Sequence, residues 1–135
     1  MDGEDLGALF ARMTRRLIDA ERPLLDEHGL SMWAYIALSH LAQQPTGTQV
    51  ALATAMNYDK TRLIALLDDL ERGGLVTRTP DPADRRARIV ELTADGRRRY
   101  AAAQADIRRM EDELLGDLTA TQRTVLRQTL AELAH

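Results

Sequence analysis

The chain has 135 residues, enough for one ordinary domain with its own core. It has no cysteine, which excludes disulfides, thiolate zinc sites and thiol switches, and three scattered histidines (His28, His40, His135) cannot cage a metal without carboxylate help. A net charge of −3 argues at first against a nucleic-acid partner, yet residues 46–100 carry ten Lys/Arg against eight acids while both ends are acidic.

From Asp5 to Glu27, Leu6, Leu9, Phe10, Met13, Leu17, Ala20 and Leu24 recur at three- and four-residue steps, which predicts one long amphipathic helix. A glycine cap is expected at His28-Gly29, and Pro23 is expected to kink or break a turn. Ser31 has the character of an N-cap for a second helix through Gln44, with Tyr35, Leu38 and Leu41 inward. Pro45-Thr46-Gly47 reads as a loop. Two short helices follow, Thr48–Ala55 and Lys60–Arg72, joined by the tight turn Met56-Asn57-Tyr58, with Asp59 capping the second. Leu63, Leu66, Leu67 and Leu70 give that second helix a single apolar face, and Gly73-Gly74 stops it. This is a helix-turn-helix pattern.

The period then changes. Leu75–Thr79 and Arg88–Leu92 alternate and are rich in β-branched residues, so they read as a hairpin with a charged, turn-rich tip over residues 80–87. Such a hairpin after a helix-turn-helix is a wing. Thr93 is expected to cap a long helix reaching Leu115, ended by Gly116, and Thr119 with Gln122 has capping-box spacing for a last helix through Leu133. The expected fold is therefore mainly α with a small β-hairpin wing. A winged helix-turn-helix lobe over residues 31–100 is flanked by terminal dimerisation helices over 5–28 and 101–135.

Gly29-Leu30-Ser31, Leu38 and Leu41, Gln49 with Leu52-Ala53, Leu70-Glu71 with Gly74-Leu75-Val76, and above all Asp84-Arg85-Arg86 with Leu92-Thr93 and Gly96 carry a resemblance. Over nearly its whole length the chain resembles the multiple antibiotic resistance regulator (MarR) family. The resemblance implies a homodimeric transcriptional regulator, usually a repressor, that in many members leaves its DNA when a small aromatic or anionic effector binds. Three positions depart from the family pattern: Gly73 where a basic or polar residue is usual, Asn57-Tyr58 where Gly and a small apolar residue are common, and Ile64 where a hydroxyl is frequent. Gly73 is expected to loosen the end of the second helix of the motif.

With its leucines inward, the helix Lys60–Arg72 presents Lys60, Thr61, Ile64, Ala65 and Asp68 outward, with Arg62 on the flank. The first turns of a helix in the major groove reach base edges, where Lys or Arg pairs with guanine and an apolar side chain packs on a thymine methyl. Lys60, Thr61, Arg62, Ile64 and Ala65 are therefore the candidate recognition residues, although an ordinary solvated helix also explains the charges. At the wing, Arg86 is the candidate for a narrow minor groove, Asp84 for holding the tip's shape, and Arg85 and Arg88 for phosphates. The family's ligand crevice has Met13, Arg16, Trp33, Tyr35 and His40 as its candidates here, and plain packing explains those residues equally well.

No glycine-rich phosphate loop, nucleophile elbow or metal spacing appears, so neither an enzyme nor a cofactor is expected. The adjacent Glu111, Asp112 and Glu113 point apart on a helix and read as a solvated face. The acidic start, Met1-Asp2-Gly3-Glu4-Asp5, lacks a basic n-region and no apolar run spans a bilayer, which predicts a soluble cytoplasmic protein without a membrane partner. The expected partners are near-palindromic double-stranded DNA and a second copy of the chain. The alternatives are a DNA-binding regulator or architectural protein without an effector, and a winged domain that binds protein.

Overall fold

The computed structural model describes residues 3–44 and 47–134. The elements run α1 (Leu6–Glu27), α2 (Met32–Gln43), β1 (Gly47–Thr48), α3 (Gln49–Met56), α4 (Lys60–Arg72), β2 (Val76–Asp81), β3 (Asp84–Leu92), α5 (Ala94–Leu114) and α6 (Ala120–Leu133). The fold is mostly helical with one small antiparallel sheet. No helix among the described residues is long and apolar enough to cross a membrane.

The caps follow the local chemistry. Ser31 Oγ accepts the Ala34 N–H, Thr48 Oγ1 that of Ala51, and Thr93 Oγ1 that of Gly96. Thr119 and Gln122 form a reciprocal capping box, which satisfies two otherwise orphaned N–H groups at the start of α6. Helix α1 is assigned as helix straight through Pro23 and ends before Gly29, so the expected break does not occur.

The sheet corrects the sequence reading in two ways. It has three strands in the order β1-β3-β2, because the two-residue β1 pairs Gly47 with Val90 and Thr48 with Ile89. The loop expected over residues 45–47 is thus a strand at Gly47, while Pro45 and Thr46 lie outside the described residues. The hairpin is also longer than alternation suggested. Pairing continues to Asp81↔Asp84, with a shift between Pro80 and Asp81, and leaves Pro82-Ala83 as the turn. The Asp81 carboxylate closes that turn by accepting the Ala83 N–H at 2.9 Å.

The chain divides into two compact units. One comprises residues 25–104, with α2, α3, α4 and the sheet, and its fully buried side chains include Leu38, Leu63, Leu67, Val76 and Val90. The other comprises residues 1–24 and 105–135, with most of α1, the second half of α5, and α6. In that second unit, Leu6, Leu9 and Phe10 on α1 and Val125, Leu126, Leu130 and Leu133 on α6 are exposed.

Candidate nucleic-acid interface

Helix α3 ends at Asn57, which adopts a left-handed conformation (φ 49°, ψ 49°) that its short polar side chain tolerates. Two residues on, the Asp59 carboxylate accepts the Arg62 N–H at 2.9 Å and starts α4. Leu63 and Leu67 on α4 are fully buried, which turns Lys60, Thr61, Arg62, Ile64 and Ala65 outward. Ile64 is 37% exposed, a large apolar side chain on an otherwise outward face. The far end of α4 is tight. Gly73 keeps a right-handed backbone (φ −77°) while Gly74 takes the left-handed turn (φ 77°), and the Leu75 N–H closes on Leu70 O at 2.9 Å. The loosening expected from Gly73 is absent.

The wing residues Asp84, Arg85, Arg86 and Arg88 are exposed and lie on β3, Arg85 and Arg86 where its register against β2 shifts. Side chains alternate along the regular part of the ladder, so Arg88 shares the face that is buried further on at Val90 and Leu92, the face turned to the helices, while Arg85 and Arg86 lie beyond that regular part. The Asp84 carboxylate accepts the Arg86 N–H at 3.0 Å and fixes the backbone from which that arginine projects.

Arg78 on β2 ties the wing to the helices. Its guanidinium donates to Asp68 Oδ1 (2.5 Å) and Glu71 Oε1 (2.8 Å) on α4 and to Gln49 Oε1 (3.2 Å) on α3, while its N–H donates to Glu71 Oε2 (3.1 Å). The Arg78 side chain is only 13% exposed, whereas Asp68 and Glu71 are about half so. Asp68 is therefore occupied and does not belong to the outward recognition set. The hydrogen bond from the Arg78 side chain, foremost, holds Glu71 below the usual carboxylate range. Glu71 thus binds its proton less readily folded than unfolded, so its stabilisation is complete above the ordinary carboxylate range and is lost as the pH falls through it. Arg78→Ala is expected to cost about 1–2 kcal/mol at neutral pH, discounted for the partners' exposure. Thermal melts of wild type and variant at neutral pH and at about pH 3.5 check this, because the gap should narrow in acid as the carboxylate is protonated. An unchanged gap would mean that the cluster does not carry the effect.

The crevice candidates are placed as follows. Arg16 Nη1 lies 3.8 Å from Met13 Sδ in the terminal-helix unit. In the lobe, Trp33 stacks on Tyr58 (ring centroids 4.4 Å apart) and Tyr35 tilts against Tyr100 (5.3 Å). His40 lines a cleft of about 170 Å³ between α2 and α3, with Gln43, Thr48 and Ala51.

The model of the MarR family matches residues 28–87. The transcriptional regulator HosA of Escherichia coli O111:H- is 35% identical over 101 residues, which is 75% of this chain and 75% of that protein. The chain belongs to the MarR family. A solved transcriptional repressor, CouR, bound to a 23-mer DNA duplex, is similar with a TM-score of 0.86 and 31% identity, covering 97% of this chain and 93% of that one. The PcaV transcriptional regulator of Streptomyces coelicolor, solved with its natural ligand, gives 0.73 and 25%, covering 99% and 97%. Family and fold are those of transcription regulators, not of enzymes.

Within this MarR-family chain, the structure adds two features that the sequence reading passed over. The Arg78 cluster had a faint signal in the acids Asp68 and Glu71, which stand three residues apart on one helix face beside a strand with a single arginine. The Trp33–Tyr58 stack had none, since nothing in the spacing pairs α2 with the turn. The acidic run on α5 is paired, not merely solvated. Arg127 donates to Glu111 (2.9 Å), and Arg123 and Arg127 each lie 3.7 Å from Asp112. Burial, then the neighbouring Glu111, raises Glu21 above the usual carboxylate range.

Proposed function

We propose that this chain is a cytoplasmic, homodimeric transcriptional regulator that binds a near-palindromic operator and represses until a small aromatic or anionic effector releases it. The observation that carries the reading is the paired display of α4 and β3. Lys60, Thr61, Arg62, Ile64 and Ala65 stand outward on one, Arg85, Arg86 and Arg88 are exposed on the other, and Arg78 ties the neighbouring strand β2 to α4. Lys60 and Arg62 read guanine edges, Ile64 packs on a thymine methyl, Arg86 enters the minor groove, and Arg85 and Arg88 bind phosphates. CouR, bound to DNA in its structure, supports the choice of duplex as partner. Selecting tight-binding duplexes from a random pool tests it. Enrichment of one near-palindrome is expected, and no enrichment together with salt-insensitive binding would point to a winged domain that binds protein.

The effector rests on PcaV, which was solved with its ligand. The alternative without an effector draws on Trp33 and Tyr35, whose rings are taken up by Tyr58 and Tyr100. A rise in melting temperature with phenols or aromatic carboxylates separates the two.

The dimer rests on the apolar side chains left exposed in the terminal-helix unit, with Leu6 at 71%, Phe10 at 48%, Val125 at 53% and Leu133 at 70%. A two-fold interface is self-complementary, so one set of such residues covers its own copy and sets two recognition helices about 34 Å apart. Light scattering at micromolar concentration should give twice the chain mass. A single-chain mass would overturn the dimer without touching the fold.

A further inference from the structure

The turn between α3 and α4 holds an aromatic side chain, Tyr58. Tyr58 lies between the left-handed Asn57 and the capping Asp59, next to the outward residues Lys60 and Thr61. Its ring stacks on Trp33 of α2 at 4.4 Å with the planes 29° apart, which restricts the torsions of a half-buried side chain. The phenol of Tyr100, whose ring tilts against Tyr35, behaves differently: its Oη donates to Ser39 Oγ (3.2 Å) and accepts from Gln104 Nε2 (3.1 Å). The Tyr58 hydroxyl has no such bond among the described residues. A donor on a held ring, at the end of α4 from which bases are read, is prepared for an acceptor outside the chain.

We propose that Tyr58 is a DNA-contacting residue whose phenol donates to an operator phosphate at the entrance of α4, with Trp33 as the positioning residue that holds the ring. This rests on the operator-binding reading above. A hydrogen bond to a charged oxygen from a fixed donor is stronger than one between neutral groups. The contact is uncharged, so it releases no counterion and leaves the salt dependence of binding to the lysine and arginine side chains.

The test uses the full-length chain on one selected operator at several salt concentrations, with wild type, Tyr58→Phe, Tyr58→Leu and Lys60→Ala. Tyr58→Phe keeps the stack and removes the hydroxyl, so affinity should fall about tenfold per half-site with an unchanged salt slope and melting temperature. Lys60→Ala should instead flatten the slope. Trp33 is the sole tryptophan and reports on the stack: its emission should match wild type in Tyr58→Phe and change in Tyr58→Leu. Wild-type affinity in Tyr58→Phe, with emission unchanged, overturns the phosphate contact. Failure of the wild type itself to select a duplex overturns the operator-binding reading instead, so the two failures are distinct.

Discussion

Gly96→Ala is expected to destabilise the lobe more than any other single methyl addition in it. A Cβ built on Gly96 would stand 2.1 Å from the carbonyl oxygen of Leu75 and 3.0 Å from its carbon, far inside contact distance. That carbonyl cannot step aside freely, because it accepts the Thr93 N–H at 3.0 Å while Thr93 Oγ1 donates to Gly74 O at 2.6 Å. Helix α5 must therefore lift off the start of β2, breaking the joint that closes the wing onto the helices. Overpacking of this kind costs about 3 kcal/mol or more, a large fraction of the roughly 5–15 kcal/mol that holds a domain together. In an unobstructed helix the same change would stabilise by about 1 kcal/mol, so helix propensity works against the predicted sign. Gly73→Ala is the control. Its Cβ would meet Asp69 O at 3.5 Å and Leu70 O at 3.7 Å, both ordinary contacts, and its φ of −77° suits any residue, so little change is expected. Thermal melts of the three proteins decide the matter, and a Gly96→Ala melt within about 2 °C of wild type would show that α5 can slide.

Arg86→Ala is expected to weaken operator binding by about 1–3 kcal/mol per half-site, roughly doubled in the dimer, with the fold intact. Arg86 and Arg85 are sequence neighbours on β3, and the Asp84 carboxylate fixes the backbone of Arg86 by accepting its N–H at 3.0 Å. A cation inserted in a narrow minor groove has no neighbour to take over its contact, whereas a phosphate contact such as the one assigned to Arg85 is partly replaceable. Arg85→Ala should therefore cost clearly less. Both residues are exposed, and such changes usually move stability by about 0.5 kcal/mol at most. Titrations of all three proteins on one operator at fixed salt, beside their melts, measure this. Equal losses for the two arginines would end the division of labour between them.

Helix existence and the caps were legible because they are local. The four leucines of α4, the hydroxyls of Ser31, Thr93 and Thr119, and the carboxylate of Asp59 act within one turn of themselves, and α4 has the bounds its periodicity implied. What was not legible depends on distant partners. The strand β1 is two residues long and exists because Val90 and Ile89 are there to pair with it. The wing strands extend past Pro80, which looks like turn in sequence, because Pro80 still pairs with Arg88 and Asp81 with Asp84, while Arg85–Ala87 bulge out of the ladder between those two pairs. Of the recognition set, the outward face of α4 followed from the inward one. That Asp68 is spoken for by Arg78 could be known only once β2 lay beside α4.

A hairpin whose ladder runs without a gap from Val76↔Leu92 to Pro80↔Arg88 behaves as a stiff lever, with Arg86 carried two residues past its last regular pair. Arg78 stands opposite Val90, at the point where β3 leaves the core, and Arg86 lies four residues beyond. At about 3.3 Å per strand residue, that is an arm of about 13 Å. Tilting the arm by about 10° at its root carries the Arg86 backbone about 2 Å sideways, roughly a third of the width of a minor groove about 6 Å across. A rotation that alters no secondary structure is thus enough to move the arginine out of the groove. The three side chains gripping Arg78 act as the pivot's friction, and whatever loosens one of them adjusts the angle of the whole arm.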